Sequence, residues 1–380
     1  MTNTGNKLYF PNLDGLRFIG ALSIILFHID TLKPEQGVPV IKYIYHFHSL
    51  GTLSVSMFFV LSGFLITYLL LQEKESSGTI DLKAFYKRRI LRIWPLYYFI
   101  IILGFFVFPN VNDFFQKDYA GHAGQNVWIT LLGCLLFLPA TLFTPNDLPD
   151  TMRASWSVRV EELFYFLWPV LFKKTKNYLN LCLGVVALVV LLRFGNFCLR
   201  HLLKNSPQYF NILGMVGGIL VQYRVSCMAI GGIGAWIIVK EKNAITSVIY
   251  RKDVQILTYI STFFLLIFKV HIPFIYYEAY SVLFCIIILN LACNPQCILN
   301  LDYKWLNYLG KRSYGIYLYS PIVTIFCIGF VKEYCSQFNT WQLNLILYAL
   351  VIVITITVSA LSYQFIERPF LRIKGKYPAL

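Results

Sequence analysis

Charge is what this sequence has least of. Only 13% of its 380 residues are Asp, Glu, Lys or Arg, against 57% hydrophobic, whereas a water-soluble globular chain carries about 25% charged residues. That deficit excludes a soluble protein. Acidic residues are the scarcer sign, 18 against 33 Lys+Arg, for a net charge of +15. In a soluble chain such an excess would point to nucleic acid. Here the basic residues flank apolar stretches, the ordinary consequence of membrane topology, and no nucleic-acid partner is expected. Paired cysteines are missing: the nine are scattered without a C-x-x-C, and Cys293 with Cys297 has no histidine support. They read as small buried hydrophobes. The six histidines are equally dispersed, and the only close pair, His46-x-His48, has no further ligand nearby, so no metal site is expected. No low-complexity segment and no internal repeat is visible, which weakens a transporter reading because many transporter folds are built from repeats. No cleavable signal peptide is expected either. The first apolar stretch begins near Leu16 with charged residues at both ends and no small-residue cleavage site.

What the chain has instead is long apolar runs. They lie roughly at 16–32, 53–72, 93–109, 157–172, 178–195, 215–239, 254–270, 274–293, 313–331 and 342–366, each long enough to approach the width of a hydrocarbon core. The expected fold class is therefore all-α, a polytopic membrane bundle of about ten transmembrane helices. It forms one membrane-embedded domain over 1–380, with no separate soluble domain. An eleventh stretch, about 127–143, is short and runs into Pro139, Pro145 and Pro149. With the N-terminus inside and this stretch re-entrant or interfacial, most lysines and arginines fall on the cytoplasmic side, including Lys83–Arg92, Lys173–Lys176, Lys240, Lys242 and the C-terminal cluster. A full span there would throw every later basic cluster to the other side. The charge bias selects the first arrangement, with both termini cytoplasmic.

Against this apolar background a few residues look chemical. Leu13-Asp14-Gly15-Leu16-Arg17 opens the first span, with Asp14 as a plausible N-cap. Arg17 and His28 are eleven residues apart. Eleven steps of about 100° return to within about 20°, so both side chains share a face, about 16 Å apart along the axis. Arg17 then sits near an interface and His28 near mid-membrane, where an ionisable residue is functional by default and otherwise hydrogen bonds between helices. In Phe58–Ile66, the small residues Ser62 and Gly63 permit close helix packing. Arg89 and Arg92 are neighbours on a helix face. They suit either phosphate oxygens, which arginine forks match, or plain interfacial anchoring beside Trp94. Glu161 and Glu162 fall in the first turns of the 157–172 span, where the helix dipole favours acids. Glu161 could equally orient His28 or bind an acceptor sugar. Arg224 lies between apolar runs and must pair or line a wet cavity, with a partner that sequence does not name.

Taken together these segments resemble the acyltransferase-3 family of membrane acyltransferases. The matching pieces run in family order: Leu13–Arg17 with His28; Phe58–Ile66; Arg89-x-x-Arg92; Trp156-Ser157 with Glu161 and Phe164-Tyr165; Leu309-Gly310 with Ser313-Tyr314 and Tyr317-Leu318; and Phe365-Ile366-Glu367-Arg368-Pro369. The resemblance implies a bacterial inner-membrane enzyme that takes acyl groups, usually acetyl from acetyl-CoA, and needs no metal. It passes them to a hydroxyl of O-antigen, capsule, exopolysaccharide or another envelope glycan. Arg17 and His28 match the family's Arg-x10-His pair, and Arg89 and Arg92 its cytoplasmic arginine pair. Some members add an extracytoplasmic hydrolase-like domain; ending at Leu380, this chain is expected to act alone. It departs from the family at Ser320, where a histidine is common, and at Arg159, where a smaller residue is usual. The expected mechanism has Arg17, Arg89 and Arg92 holding the CoA phosphates. His28 acts as base for the acceptor hydroxyl or as transient acyl carrier, with Glu161 fixing its tautomer. A transporter or exporter of an envelope glycan or lipid precursor is the alternative, and an acyltransferase acting on lipid or peptidoglycan is a second.

Overall fold

In hydrocarbon every backbone N–H and C=O has to be satisfied within the chain, and runs of this length do so as helices. The structure, a computed structural model, describes residues 10, 12–39, 48–111, 127–138, 149–335 and 337–374. His46 lies outside them. Among the described residues there are helices and no strands. The elements are α1 (Leu13–Glu35), α2 (His48–Ser77), α3 (Leu82–Ile102), α4 (Val127–Leu135), α5 (Ser155–Lys174), α6 (Tyr178–Leu202), α7 (Pro207–Gln222), α8 (Val225–Val239), α9 (Asn243–Ile249), α10 (Lys252–Ile267), α11 (Tyr276–Cys293), α12 (Lys304–Gly310), α13 (Ser313–Tyr334), α14 (Thr340–Ser362) and α15 (Arg368–Lys374). Among the described residues eight spans are long and apolar enough to cross a membrane, α7 and α8 counting as one. The other two expected spans fall short for physical reasons. α5 carries Arg159, Glu161 and Glu162 in its first half, and α10 has 16 residues, about 24 Å of helix. Of the 127–143 stretch, the described part holds nine helical residues in α4, about 14 Å of helix.

α1, α2, α8 and α13 form the centre, with α2 packed most extensively on α8 and α1 on both α2 and α13. Two glycines allow the tightest crossing. A Cβ on Gly63 would come within 1.9 Å of Met228 O, and one on Gly231 within 2.0 Å of Val60 O, so α2 and α8 touch backbone to backbone. The periphery is the reverse: α6 buries only Cys182 fully and exposes Leu188, Leu191, Phe194 and Phe197. A bundle whose outer helices are apolar on the outside is one whose solvent is lipid.

The 215–239 run, expected as one span, is interrupted at Tyr223-Arg224 between α7 and α8. Side chains take up the freed carbonyls. Arg193 Nε and Nη2 donate to Leu220 O at 3.2 and 3.1 Å, and Arg224 Nε donates to Val221 O at 3.3 Å. Arg193 Nη1 also grips both oxygens of Glu278, at 2.7 and 2.9 Å, and Glu278 accepts from Ser226 Oγ at 2.5 Å in the first turn of α8. A carboxylate there meets the positive end of a helix.

One end of the bundle collects the basic residues, and its polar contacts knit helix ends together. Lys74 Nζ donates to Phe172 O, Lys173 O and Thr175 O at 3.1–3.3 Å, closing the C-terminus of α5. Lys173 donates to Ile80 O and Lys240 pairs with Glu75. Deep on α1, Lys33 is 0% exposed. It donates to Asp30 Oδ1 at 2.8 Å, Asn344 Oδ1 at 3.2 Å and Tyr348 OH at 3.0 Å, while Tyr348 also donates to Asp30. This network fastens α1 to α14.

Candidate active site

At the basic end, α1, α3 and α5 converge. Arg17 Nη1 donates to Asp14 Oδ1 at 2.6 Å, and the backbone of Asp14 is braced by Gly310, where a Cβ would come within 1.9 Å of Asp14 O. Asp14 thus serves as ion-pair partner to Arg17, and the N-cap position falls to Asn12. Asn12 ties the start of α1 to α11, donating to Leu291 O at 3.0 Å and accepting from Leu301 N at 2.7 Å. Arg17 feels the charge of Arg92 and lies within electrostatic reach of Tyr165. Arg89 sits over the Tyr165 ring, 5.2 Å from its centroid. The Tyr165 hydroxyl donates to Glu161 Oε2 at 3.2 Å and is hydrogen-bonded to Ser62 of α2. Glu161 interacts with Glu162, Arg89 and Arg92. Glu367 interacts with Arg92 and Arg312 and lies against Gly315 of α13. Three arginines from two helices, partly offset by Glu161 and Glu367, make a cationic recess in which Arg17 and Arg89 are half-buried and Arg92 is exposed.

About 16 Å further along α1, His28 is 4% exposed, and its Nδ1 is 2.7 Å from Ser320 Oγ on α13. Ser320 Oγ donates its own hydrogen to Tyr317 O at 2.9 Å, so toward His28 it has only lone pairs to offer. With the Ser320 hydrogen directed to Tyr317 O, Nδ1 carries the imidazole proton and Nε2 is the free base. One turn back along α13, the Tyr317 hydroxyl is 2.7 Å from Ser157 Oγ on α5. Tyr317 also feels the charges of Glu161 and Arg224. Arg224 is 4% exposed and is pinned by donation from Nη1 to Thr52 O at 2.8 Å and Ser56 Oγ at 3.0 Å. Its guanidinium lies 3.8 Å from the Tyr277 ring centroid and 5.6 Å from that of Trp156.

The geometry thus groups Arg17, Arg89, Arg92 and Glu161 at one end and leaves His28 deeper, on the same helix as Arg17. It does not join Glu161 to His28. Glu161 is one turn beyond Ser157 on the same face of α5, about 6 Å nearer the arginines, and its hydrogen bond goes to Tyr165. The partner of the imidazole is Ser320. Tyr317, Ser157 and Arg224 also belong to this constellation. Of these, only Arg224 advertised itself as a charge in an apolar run; hydroxyls in apolar helices are too common to mark a site. Among the described residues no three of His, Cys, Asp and Glu come together to hold a metal.

The profile of a family described as an acyltransferase domain matches residues 10–364. The chain is 27% identical, over 97% of its own length and 57% of the relative's, to a protein of Listeria monocytogenes named peptidoglycan O-acetyltransferase OatA. It is 27% identical, over 97% of itself and 58% of the relative, to O-acetyltransferase OatA of Staphylococcus aureus. It therefore spans a little over half the length of these curated relatives. No solved structure matches it. With a family profile covering its described helices from α1 into the π-turn after α14, and with an all-helical multi-pass architecture, this chain belongs to the acyltransferase-3 family of membrane acyltransferases.

Proposed function

We propose that the chain transfers an acetyl group from acetyl-CoA to a hydroxyl of a cell-envelope glycan, across the thickness of a bacterial inner membrane. The observation that carries the reading is the disposition of α1: a half-buried arginine at the basic end and a buried imidazole about 16 Å along the same helix, with Nδ1 held by Ser320. Coenzyme A is polyanionic, so its phosphates belong at the cationic recess of Arg17, Arg89 and Arg92, where planar guanidinium groups match phosphate oxygens. The basic end faces the cytoplasm under the positive-inside rule, which places both termini there and the donor on the side where it is made. The pantetheine arm reaches along the bundle past Tyr165 and Tyr317 and sets the thioester carbonyl beside His28.

His28 Nε2 takes the proton of the acceptor hydroxyl as its oxygen attacks the carbonyl carbon. The tetrahedral intermediate collapses with cleavage of the carbon–sulfur bond, and the departing thiolate recovers the proton from the imidazolium. Negative charge developing on the carbonyl oxygen is met by the Tyr317–Ser157 hydroxyl pair under the positive charge of Arg224. Glu161 tempers the repulsion among the arginines and holds Tyr165, with no direct part at His28. The names of the relatives favour peptidoglycan among the envelope glycans as acceptor.

The test uses the reconstituted protein with acetyl-CoA labelled in the acetyl group. The unsubstituted protein should consume thioester only when acceptor is present, and His28→Ala should cut transfer by about 10²–10⁴-fold while inserting normally. Full activity in His28→Ala overturns the assignment, and movement of glycan without thioester consumption would instead identify a transporter.

A further inference from the structure

On the side of α5 turned away from Glu161, about 200° round the helix, Arg159 is 2% exposed. Its Nη1 donates to Leu138 O at 3.1 Å, just beyond α4, while Nε and Nη2 have no partner among the described residues. These two groups form the edge of a guanidinium whose N–H bonds run parallel and match two oxygens of one anion. The same chain uses that edge elsewhere, where Arg251 Nε and Nη2 grip Asp253 Oδ1 and Oδ2 at 3.0 and 2.6 Å. The described groups that feel Arg159 are neutral. Its charge is felt by Tyr97 and Cys134, and the Tyr97 hydroxyl is committed to Cys134 O at 2.9 Å. It is also felt by Tyr223 at the α7–α8 break, whose hydroxyl is likewise without a partner. Among the described residues no carboxylate pairs with Arg159. A guanidinium taken out of water is costly unless paired, and polar groups buried like this are normally satisfied.

We propose that Arg159, with the Tyr223 hydroxyl, binds a two-oxygen anion carried by the acceptor, so that the substrate class is an acidic glycan. This rests on the acyltransferase reading above and names the acceptor side of it. Arg159 lies between Ser157 and Glu161 along α5 but on the opposite side of the helix from Glu161 and the donor recess, so the anion is not one of the coenzyme's phosphates. A carboxylate on a uronic acid and a phosphate on a lipid-linked sugar offer the same pair of oxygens.

Binding is measured without turnover, on the detergent-solubilised full chain. The probes are a hexuronate-containing oligosaccharide, its carboxyl-reduced counterpart and a sugar phosphate. The carboxylated or the phosphorylated probe should bind at least about tenfold more tightly than the reduced one, the strength of one charge-assisted contact, and whichever wins identifies the source of the anion. Arg159→Gln should erase that preference and leave the affinity for the reduced probe unchanged, while Arg159→Lys restores part of it. Tyr223→Phe, which leaves the guanidinium in place, should reduce it severalfold and guards against misfolding of the Arg159 variants. Equal affinity of the unsubstituted protein for all three probes, or a preference that survives both Arg159→Gln and Tyr223→Phe, overturns the proposal. Because no acyl transfer is needed, failure here is distinct from failure to consume acetyl-CoA, which would strike the enzymatic reading instead.

Discussion

A hydroxyl that already donates one hydrogen bond has only lone pairs left, and that simple constraint gives Ser320 its importance. When it donates to Tyr317 O it accepts from His28 Nδ1, leaving Nε2 free. Ser320→Ala removes the acceptor and lets the imidazole mix its tautomers. We expect kcat to fall about tenfold, the worth of one such bond, with the donor KM unchanged; steady-state kinetics at varied acetyl-CoA decides it, and unaltered kcat would remove Ser320 from the site. Arg89→Ala should do the opposite, raising the donor KM with little change in kcat, because the phosphates are held equally in ground and transition states. Spacing alone made the Arg17–His28 relation legible, since both lie on one regular helix. The partner of His28 was not, because it is 292 positions away and a serine in an apolar run carries no signal. Glu161 misled for a related reason. Its charge marked it as chemical, but which cation it answers to depends on how α3 and α5 pack.

At the scale of elements, apolar run length located most of the helices, and what it missed was a break. Prolines would have been the obvious breakers, yet Pro95, Pro169 and Pro321 all sit inside helices. The interruption falls instead at Tyr223-Arg224, where neither proline nor glycine stands and the Arg193 and Arg224 side chains donate to the orphaned carbonyls. Arg193 and Glu278 are both buried there, at 8% and 7% side-chain exposure. Removing one partner strands the other, a cost of about 3–5 kcal/mol, whereas removing both can be nearly neutral. Arg193→Met should therefore lose most of its folded yield and melt early in detergent. The double variant Arg193→Met with Glu278→Leu should recover much of that stability, and equal damage in the two would show that the pair does not carry the break.

For the whole molecule the decisive property is an uneven distribution of charge between its two ends. Lysine and arginine gather at the ends of α5 and α8 and at the start of α10, and the proposed orientation takes α4 as a segment that does not cross. Single cysteines in a background cleared of the native nine read this directly in intact cells. Lys176→Cys should resist a membrane-impermeant thiol reagent and Lys204→Cys, at the other end of α6, should react. The reverse pattern would invert the orientation and put the arginine recess out of reach of a cytoplasmic donor. The orientation expected from composition rests on this asymmetry, whereas the depth of the polar groups had to come from packing.

The Lys33–Asp30–Tyr348 knot has a mechanical implication. It clamps α1 barely one turn beyond His28, and Ser320 grips the imidazole itself, so the base is an anvil bolted to the frame. Under the proposed mechanism whatever travels during the reaction is then the cargo: the thioester on its flexible tether from one direction and the sugar from the other, meeting at a fixed point.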